Sequence, residues 1–503
     1  MFERLNLKFL SLPIVTGVII LSSCGGSSTS TSLDGISSDG ISSTITPAGT
    51  APVPTIASIT PTTVPPHGTV PITISGTLFS ASSSVTVNGM NCPVTSASTT
   101  SITCTSPTQA IVTSPGTPVV ANVIVTTPDV GASVPYTSFT YSLAPILGQA
   151  SATSSSFGSG YTAMNNPKAI AIDGIHVVVA DNANCRVLIW NSIPTTLNQA
   201  PDLVLGQADF NLGSTHANRG GAIAANTLYS PNAVAIYKNK LFVSDSLNHR
   251  VLIWNTFPTT NGQAADLVIG QSNLNGGSVN AGIGTNIGTL NSPSGLAIDS
   301  AENLYISDTG NHRVLYFSTI PINSGAAATY VLGQATFTAN GSNTTEDTLK
   351  SPIQLSVSEN YLAVSDSGNN RVLIFSTLVN GNSKDAVGVL GQSSFISNDS
   401  VNCFSTSISS PQGIALLGNT VFVSDTGHNH ILFWPSISSI IIPTFRPPST
   451  KNFGGTTSPN CTPNQGGISQ TSLNSQHGIL ADSLGYIWIA DTLNSRITVN
   501  KWP

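Results

Sequence analysis

The sequence predicts an all-β protein, a β-sandwich followed by a six-bladed β-propeller, and three observations carry that expectation. Between Pro54 and Ser142, short β-branched runs such as TIASIT, TVPITISGTLF and VVANVIVTTP alternate with turn residues, without a helical stretch. Beyond Pro145 one motif recurs six times: VVVADNANCRVLIW, LFVSDSLNHRVLIW, LYISDTGNHRVLYF, LAVSDSGNNRVLIF, VFVSDTGHNHILFW and IWIADTLNSRITVN. Each unit also carries a start like SPSGLAID and a strand like DLVIGQ, which makes four strands per unit. Four-stranded units repeated around an axis bury their faces against one another and need no helix.

At the N-terminus, Arg4 and Lys8 precede an apolar stretch from Phe9 to Leu21 that ends in Leu21-Ser22-Ser23-Cys24. Charge followed by a short apolar core reads as an export signal over 1–23, too short for an ordinary span. The Leu-Ser-Ser-Cys ending resembles a bacterial lipobox, which implies a diacylglycerol on the Cys24 thiol and anchoring by acyl chains. Gly25 after the cysteine, by the sorting rule of Gram-negative lipoproteins, implies the outer membrane. Residues 24–53, rich in Gly, Ser and Thr and without apolar periodicity, read as a flexible tether.

Residues 54–142 form the expected sandwich. The segments PTIASITPTTVPPHGTVPITISGTLF, VTVNGMNCPV and SFTYS resemble an IPT/TIG domain, which implies an immunoglobulin-like module. Cys92 and Cys104 flank a hairpin in an exported chain and are expected to be bridged.

Residues 143–503 form the expected propeller. The motif aspartates Asp181, Asp245, Asp308, Asp366, Asp425 and Asp491 are separated by 64, 63, 58, 59 and 66 residues. The elements SPSGLAID, LYISD and NHRVL resemble, in fixed order, those of NHL repeats, here lengthened by insertions after the Gly-Gln strands. ILGQA at 146–150 precedes the first start, and the sixth unit runs out after RITVNKW, so the early strand is expected to complete the last blade and remove a free edge.

The cluster SDSLNHR at 244–250 places an aspartate, an asparagine, a histidine and an arginine together. A catalytic group is needed once, whereas these recur. Aspartate and arginine stand five apart as Asp181 and Arg186, Asp245 and Arg250, Asp308 and Arg313, Asp366 and Arg371, and Asp491 and Arg496. They read as structural ion pairs closing across a turn. Asn248, Asn311, Asn369 and Asn494 keep their place while the preceding residue varies, so asparagine is expected to hold the left-handed turn conformation. His249 and His312 are expected to be exposed fillers. The turn DTGHNH at 425–430 loses the arginine, which marks it as looser or functional. Trp190, Trp254 and Trp434 share their position with Phe317 and Phe375, and so read as packing between blades rather than as sugar platforms.

A chain only 8% charged with a formal net charge of −6 has little with which to neutralise a phosphate backbone, so nucleic acid is an unexpected partner. Long polar insertions such as 208–228 and 272–289 crowd the face that carries the Asp-to-Arg turns, and loops on a rigid scaffold are where recognition sits. The expectation is therefore a binding or scaffolding lipoprotein of the envelope, facing an extracellular or envelope protein or polysaccharide. The competing reading is an enzyme, since some propellers that this one resembles are lyases or hydrolases with metal-bound histidines near the channel. The positions that match are Lys168, Asn232, Ser294, Ile353, Gln412 and His477. A catalytic zinc takes about three protein ligands, so one histidine among them does not close a site, and no metal or cofactor is expected. The polar ones, Lys168, Asn232, Ser294, Gln412 and His477, are candidates for the ligand face. Cys403 and Cys461, in the insertions before neighbouring inner strands, are expected to be bridged, while Cys185 in a turn has no partner in sequence.

Overall fold

The computed structural model describes residues 52–503 apart from 65–69, 108–118, 142–145, 152–153, 159, 195, 211–216, 378–379, 400–407, 438–471, 483–484 and 502–503. The expected signal segment, Cys24, most of the tether and the Cys403–Cys461 bridge lie outside the described residues. Among the described residues there is no α-helix, only strands and short 3-10 turns, and none is long and apolar enough to cross a membrane.

The first domain is a sandwich of two sheets. One pairs Thr55–Thr60, Pro71–Thr77, Ser101–Thr105 and Val94–Ala97; the other is built on Val119–Thr127 flanked by Tyr136–Tyr141 and Ser84–Val87. Alternate residues point inward, as a half-buried strand requires. Ile72, Ile74, Val85, Val87, Val123, Val125 and Phe139 are fully covered and meet between the sheets. Cys92 and Cys104 are disulfide-bonded, with Cα atoms 5.6 Å apart.

Six antiparallel sheets follow and form a β-propeller. Their inner strands are Pro167–Ile172, Pro231–Tyr237, Leu296–Ile298, Pro352–Val357, Ile414–Leu417 and Ile479–Ala481, numbered here as blades 1 to 6. Each touches the next, and the sixth touches the first, so the ring closes. Blades 1 to 4 have four strands each. Blade 5 shows three, Ile414–Leu417, Thr420–Asp425 and His430–Trp434, and its expected fourth falls outside the described residues. Blade 6 takes its fourth element from the other end of the domain: Leu147 and Ile497 exchange both backbone hydrogen bonds at 3.0 Å.

The strand RVLIW in blades 1 and 2 and RVLYF in blade 3 are buried along their whole length because both faces are covered by neighbouring blades. Trp190, Trp254, Phe317, Phe375 and Trp434 are all at most 2% exposed, and Trp254 packs into the layer between blades 1 and 2.

Candidate functional site

Each Asp-to-Arg turn is a three-residue 3-10 turn followed by one left-handed residue. In the third blade Asp308 and Arg313 are register partners, and Thr309–Asn311 form the turn. The guanidinium Nε donates to Asp308 Oδ2 at 2.7 Å, and the same atom receives the Asn311 amide at 2.8 Å. Asp308 Oδ1 accepts the Asn291 backbone N–H at 2.7 Å. Arg313 also donates to the carbonyls of Asn286, Thr289 and Phe337. The ion pair therefore ties the hairpin to the long insertion as well as closing the turn. The same Nε to Oδ2 contact joins Asp181 to Arg186, Asp245 to Arg250, Asp366 to Arg371 and Asp491 to Arg496, with no side-chain exposure on either partner. Burial pushes each of these carboxyls up, and the guanidinium and the donated N–H groups oppose it.

Two expectations are corrected here. The left-handed residue is not the asparagine but the one after it: Cys185, His249, His312, Asn370, Asn429 and Ser495 have φ between 51 and 57°. Asn184, Asn248, Asn311, Asn369 and Asn494 keep their place because the amide must reach the carboxylate, at 2.8–2.9 Å. Nor are His249 and His312 exposed fillers. Both are half-buried, and Nδ1 accepts the backbone N–H of Ser292 or Ser351 in the next blade at 3.0 and 3.1 Å. Asn370 and Asn429 do the same for Ser410 and Ser475 through Oδ1. A side chain that carries an acceptor at this reach links one blade to the next.

The Gly-Gln pairs have a role that sequence reasoning missed. Gln271 Nε2 donates to the carbonyls of His249 and Ser278, and Gln334 Nε2 to those of His312 and Gly341. The glycine before each has φ of 90 and 84°, and a Cβ there would press on Leu290 or Leu349. Recurrence after a strand was the signal available.

At the channel mouth the structure brings together Lys168, Asn232, Ser294, Gln412 and His477, with Ile353 completing the ring, around a cavity of about 70 Å3. Neighbours are coupled. Lys168 Nζ stands 2.8 Å from His477 Nε2, Asn182 donates to Asn232 Oδ1 at 2.7 Å, and Asn232 donates to Ser294 Oγ at 3.3 Å. Burial lowers the Lys168 pKa to about 8. His477 is held well below the usual histidine range by burial and by the adjacent ammonium, so it is neutral and accepts from Lys168. Lys168 is the one charged side chain that lines the mouth.

Below the mouth the Gln354 amide spans the channel. Its Oε1 accepts the Ile414 N–H at 3.1 Å and the Ile479 N–H at 3.4 Å. The channel beyond has a volume of about 200 Å3, and most of the side chains that line it are apolar, such as Val234, Leu296, Leu355, Ile414 and Ile479.

The blade 5 turn departs from the others at two residues. His428 occupies the asparagine's place and His430 the arginine's: His428 Nδ1 lies 2.9 Å and His430 Nε2 3.1 Å from Asp425 Oδ2. Burial would raise the Asp425 pKa, but the two imidazole hydrogen bonds hold it below the usual carboxylate range. The hydrogen bond to Asp425 raises His428.

Two family models agree with the architecture. Residues 54–141 match the model of the IPT/TIG domain, and residues 290–317 match that of the NHL repeat. No match among curated proteins was found. Among solved structures, the chain is similar to an auxiliary nutrient binding protein from Bacteroides ovatus ATCC 8483, with 11% identity, 90% of this chain and 99% of that one covered, and a TM-score of 0.44. An auxiliary nutrient binding protein from Bacteroides thetaiotaomicron VPI-5482 is 12% identical over 89% of this chain and 98% of that one, with a TM-score of 0.42. A streptogramin B lyase is 10% identical over 68% and 97%, with a TM-score of 0.37. The chain thus joins an IPT/TIG domain to a six-bladed propeller whose third blade carries an NHL repeat.

Proposed function

We propose that this is an envelope-anchored binding protein whose propeller presents its channel-mouth face to a saccharide, with a carboxylate or hydroxyl end-group seated between Lys168 and His477. The observation that carries this reading is the mouth itself: six polar side chains, Gln354 among them, around a cavity of about 70 Å3, one of them a lone ammonium. Such a cavity takes an end-group rather than a whole ligand, and a small set of placed polar groups gives orientation. Further support comes from the same face. Phe157, Tyr161 and Tyr229, in the segments that enter blades 1 and 2, are 76%, 48% and 38% exposed. Exposed rings on the segments that lead into the mouth strands suit a sugar, whose faces are apolar and whose edges carry hydroxyls. Anchoring through a diacylglycerol on Cys24 would hold this face outside the membrane, with the IPT/TIG domain as a spacer.

The test is a glycan array and a pull-down of surface proteins with the purified chain, repeated with Lys168→Ala and Tyr161→Ala. Binding of acidic saccharides that both substitutions abolish is the expected result. Retention of a protein instead, unaffected by Lys168→Ala, would overturn the reading. The ammonium is protonated below its pKa of about 8, so binding of an acidic end-group should be strongest below pH 8 and weaken as pH rises through that value.

A further inference from the structure

Five blades balance a buried carboxylate with a guanidinium; blade 5 does not. Asp425 is fully buried, and the residues that reach its Oδ2 are two imidazoles, each side chain 13% exposed. The rest of the turn keeps the repeat's geometry. Asp425 Oδ1 accepts the Ser409 N–H at 2.8 Å, as Asp308 accepts Asn291, and Asn429 takes the left-handed conformation at φ 57°. Only the two residues that touch Oδ2 have changed, and both have changed to histidine.

The three ligand atoms, Asp425 Oδ2, His428 Nδ1 and His430 Nε2, all lie within 4.8 Å of one another. Ligands at about 2.0–2.2 Å from a tetrahedral zinc sit roughly 3.3 Å apart. The observed 2.9 and 3.1 Å from the oxygen to the nitrogens need open by only a few tenths of an ångström. The rings lie nearly parallel, 18° apart with centroids 5.8 Å apart, so both present nitrogen to one oxygen without rotating. Two imidazoles and a carboxylate form a borderline donor set, suited to zinc and poorly suited to calcium or magnesium. The backbone behind them is held: Gln476 Nε2 donates to the His430 carbonyl at 2.8 Å and to the Asp425 carbonyl at 3.2 Å.

We propose that Asp425, His428 and His430 bind one divalent transition cation, Zn2+ foremost, which supplies in blade 5 the positive charge that arginine supplies elsewhere. Three protein ligands leave a fourth position for water or a further donor.

The test uses the purified full chain, stripped with a chelator and titrated with Zn2+ by calorimetry. A double variant, His428→Asn with His430→Arg, rebuilds the pattern of the other turns and keeps the turn's charge balance. The wild type should bind one equivalent tightly, and Zn2+ should raise its melting midpoint. The double variant should bind that equivalent at least about 100-fold more weakly, with no Zn2+-dependent shift, since two of three ligands are gone. A second measurement needs no variant: Zn2+ should protect His428 and His430 from diethyl pyrocarbonate, read by peptide mass spectrometry. Equal affinity and stoichiometry in both proteins, no binding by the wild type, or unchanged reactivity of the two histidines would each overturn the proposal and leave an imidazolium as the replacement for arginine.

Discussion

At the residue scale, the position after the turn asparagine shows how different side chains serve one geometric need. His249, His312, Asn370 and Asn429 each take a left-handed backbone, which costs a non-glycine residue about 1–2 kcal/mol, and each offers an acceptor to the next blade. A histidine accepts at Nδ1 only when that nitrogen is unprotonated. Burial lowers the pKa of both His249 and His312, so the unfolded chain takes up protons first as pH falls below about 6.5. Their contribution is complete above that value and is lost as pH falls through the window beneath it. A His249→Asn, His312→Asn double variant should keep the wild-type melting midpoint at pH 7.5 and lose less of it at pH 5, as thermal melts at the two values will read. Replacement by Leu should cost about 1 kcal/mol per site at pH 7.5, the usual worth of a hydrogen bond.

At the scale of the element, the hairpin turn, the entering insertion and the outer strand are held by one carboxylate, one guanidinium and one glutamine. Arg313 makes its ion pair and reaches three carbonyls of two separate segments. Arg313→Ala would strand the Asp308 charge in a fully buried place and should lower stability by about 3–5 kcal/mol in denaturant melts. Arg313→Lys should recover only part of it, because an ammonium cannot reach carboxylate and carbonyls together in the fork geometry of a guanidinium. A matching loss in Arg250→Ala would confirm that the repeats are equivalent. Much of this hairpin was legible beforehand. The spacing of five between Asp308 and Arg313 is what a closed turn needs, and recurrence pointed away from catalysis. The left-handed position was misplaced because a sequence displays which residue is kept but not whether it is kept for its backbone or its side chain.

At the scale of the whole molecule, the propeller is a ring latched by a segment from its other end. Leu147 is fully buried and bonded on both sides to Ile497, and Gln149 donates to the Ser495 carbonyl at 3.0 Å. Leu147→Ala should cost about 2–5 kcal/mol, as for a buried leucine elsewhere. Deleting 146–150 should raise hydrogen exchange first in Arg496–Lys501, the strand left as an open edge. If exchange rises evenly over all blades, the latch is not a local device. Cys24→Ala, in turn, should leave an unprocessed precursor that takes up no labelled palmitate; uptake by the variant would refute the anchor.

Periodicity alone determined that this chain is a sandwich followed by a six-fold ring, because strand alternation and a repeated unit are local patterns that survive in one dimension. It determined the five ion pairs in the same way, while the six positions of the mouth came from a resemblance to other propellers, laid onto the same place in each repeat. Only the tertiary structure decided which of those positions touch. Lys168 and His477 stand at opposite ends of the propeller sequence and meet at 2.8 Å because the ring closes there, and their shifted protonation follows from that contact and its burial. The histidines of blade 5 divide in the same manner. Their departure from the repeat is visible in DTGHNH, but that both nitrogens converge on one carboxylate oxygen depends on the 3-10 turn that places positions three and five on the same side of Asp425.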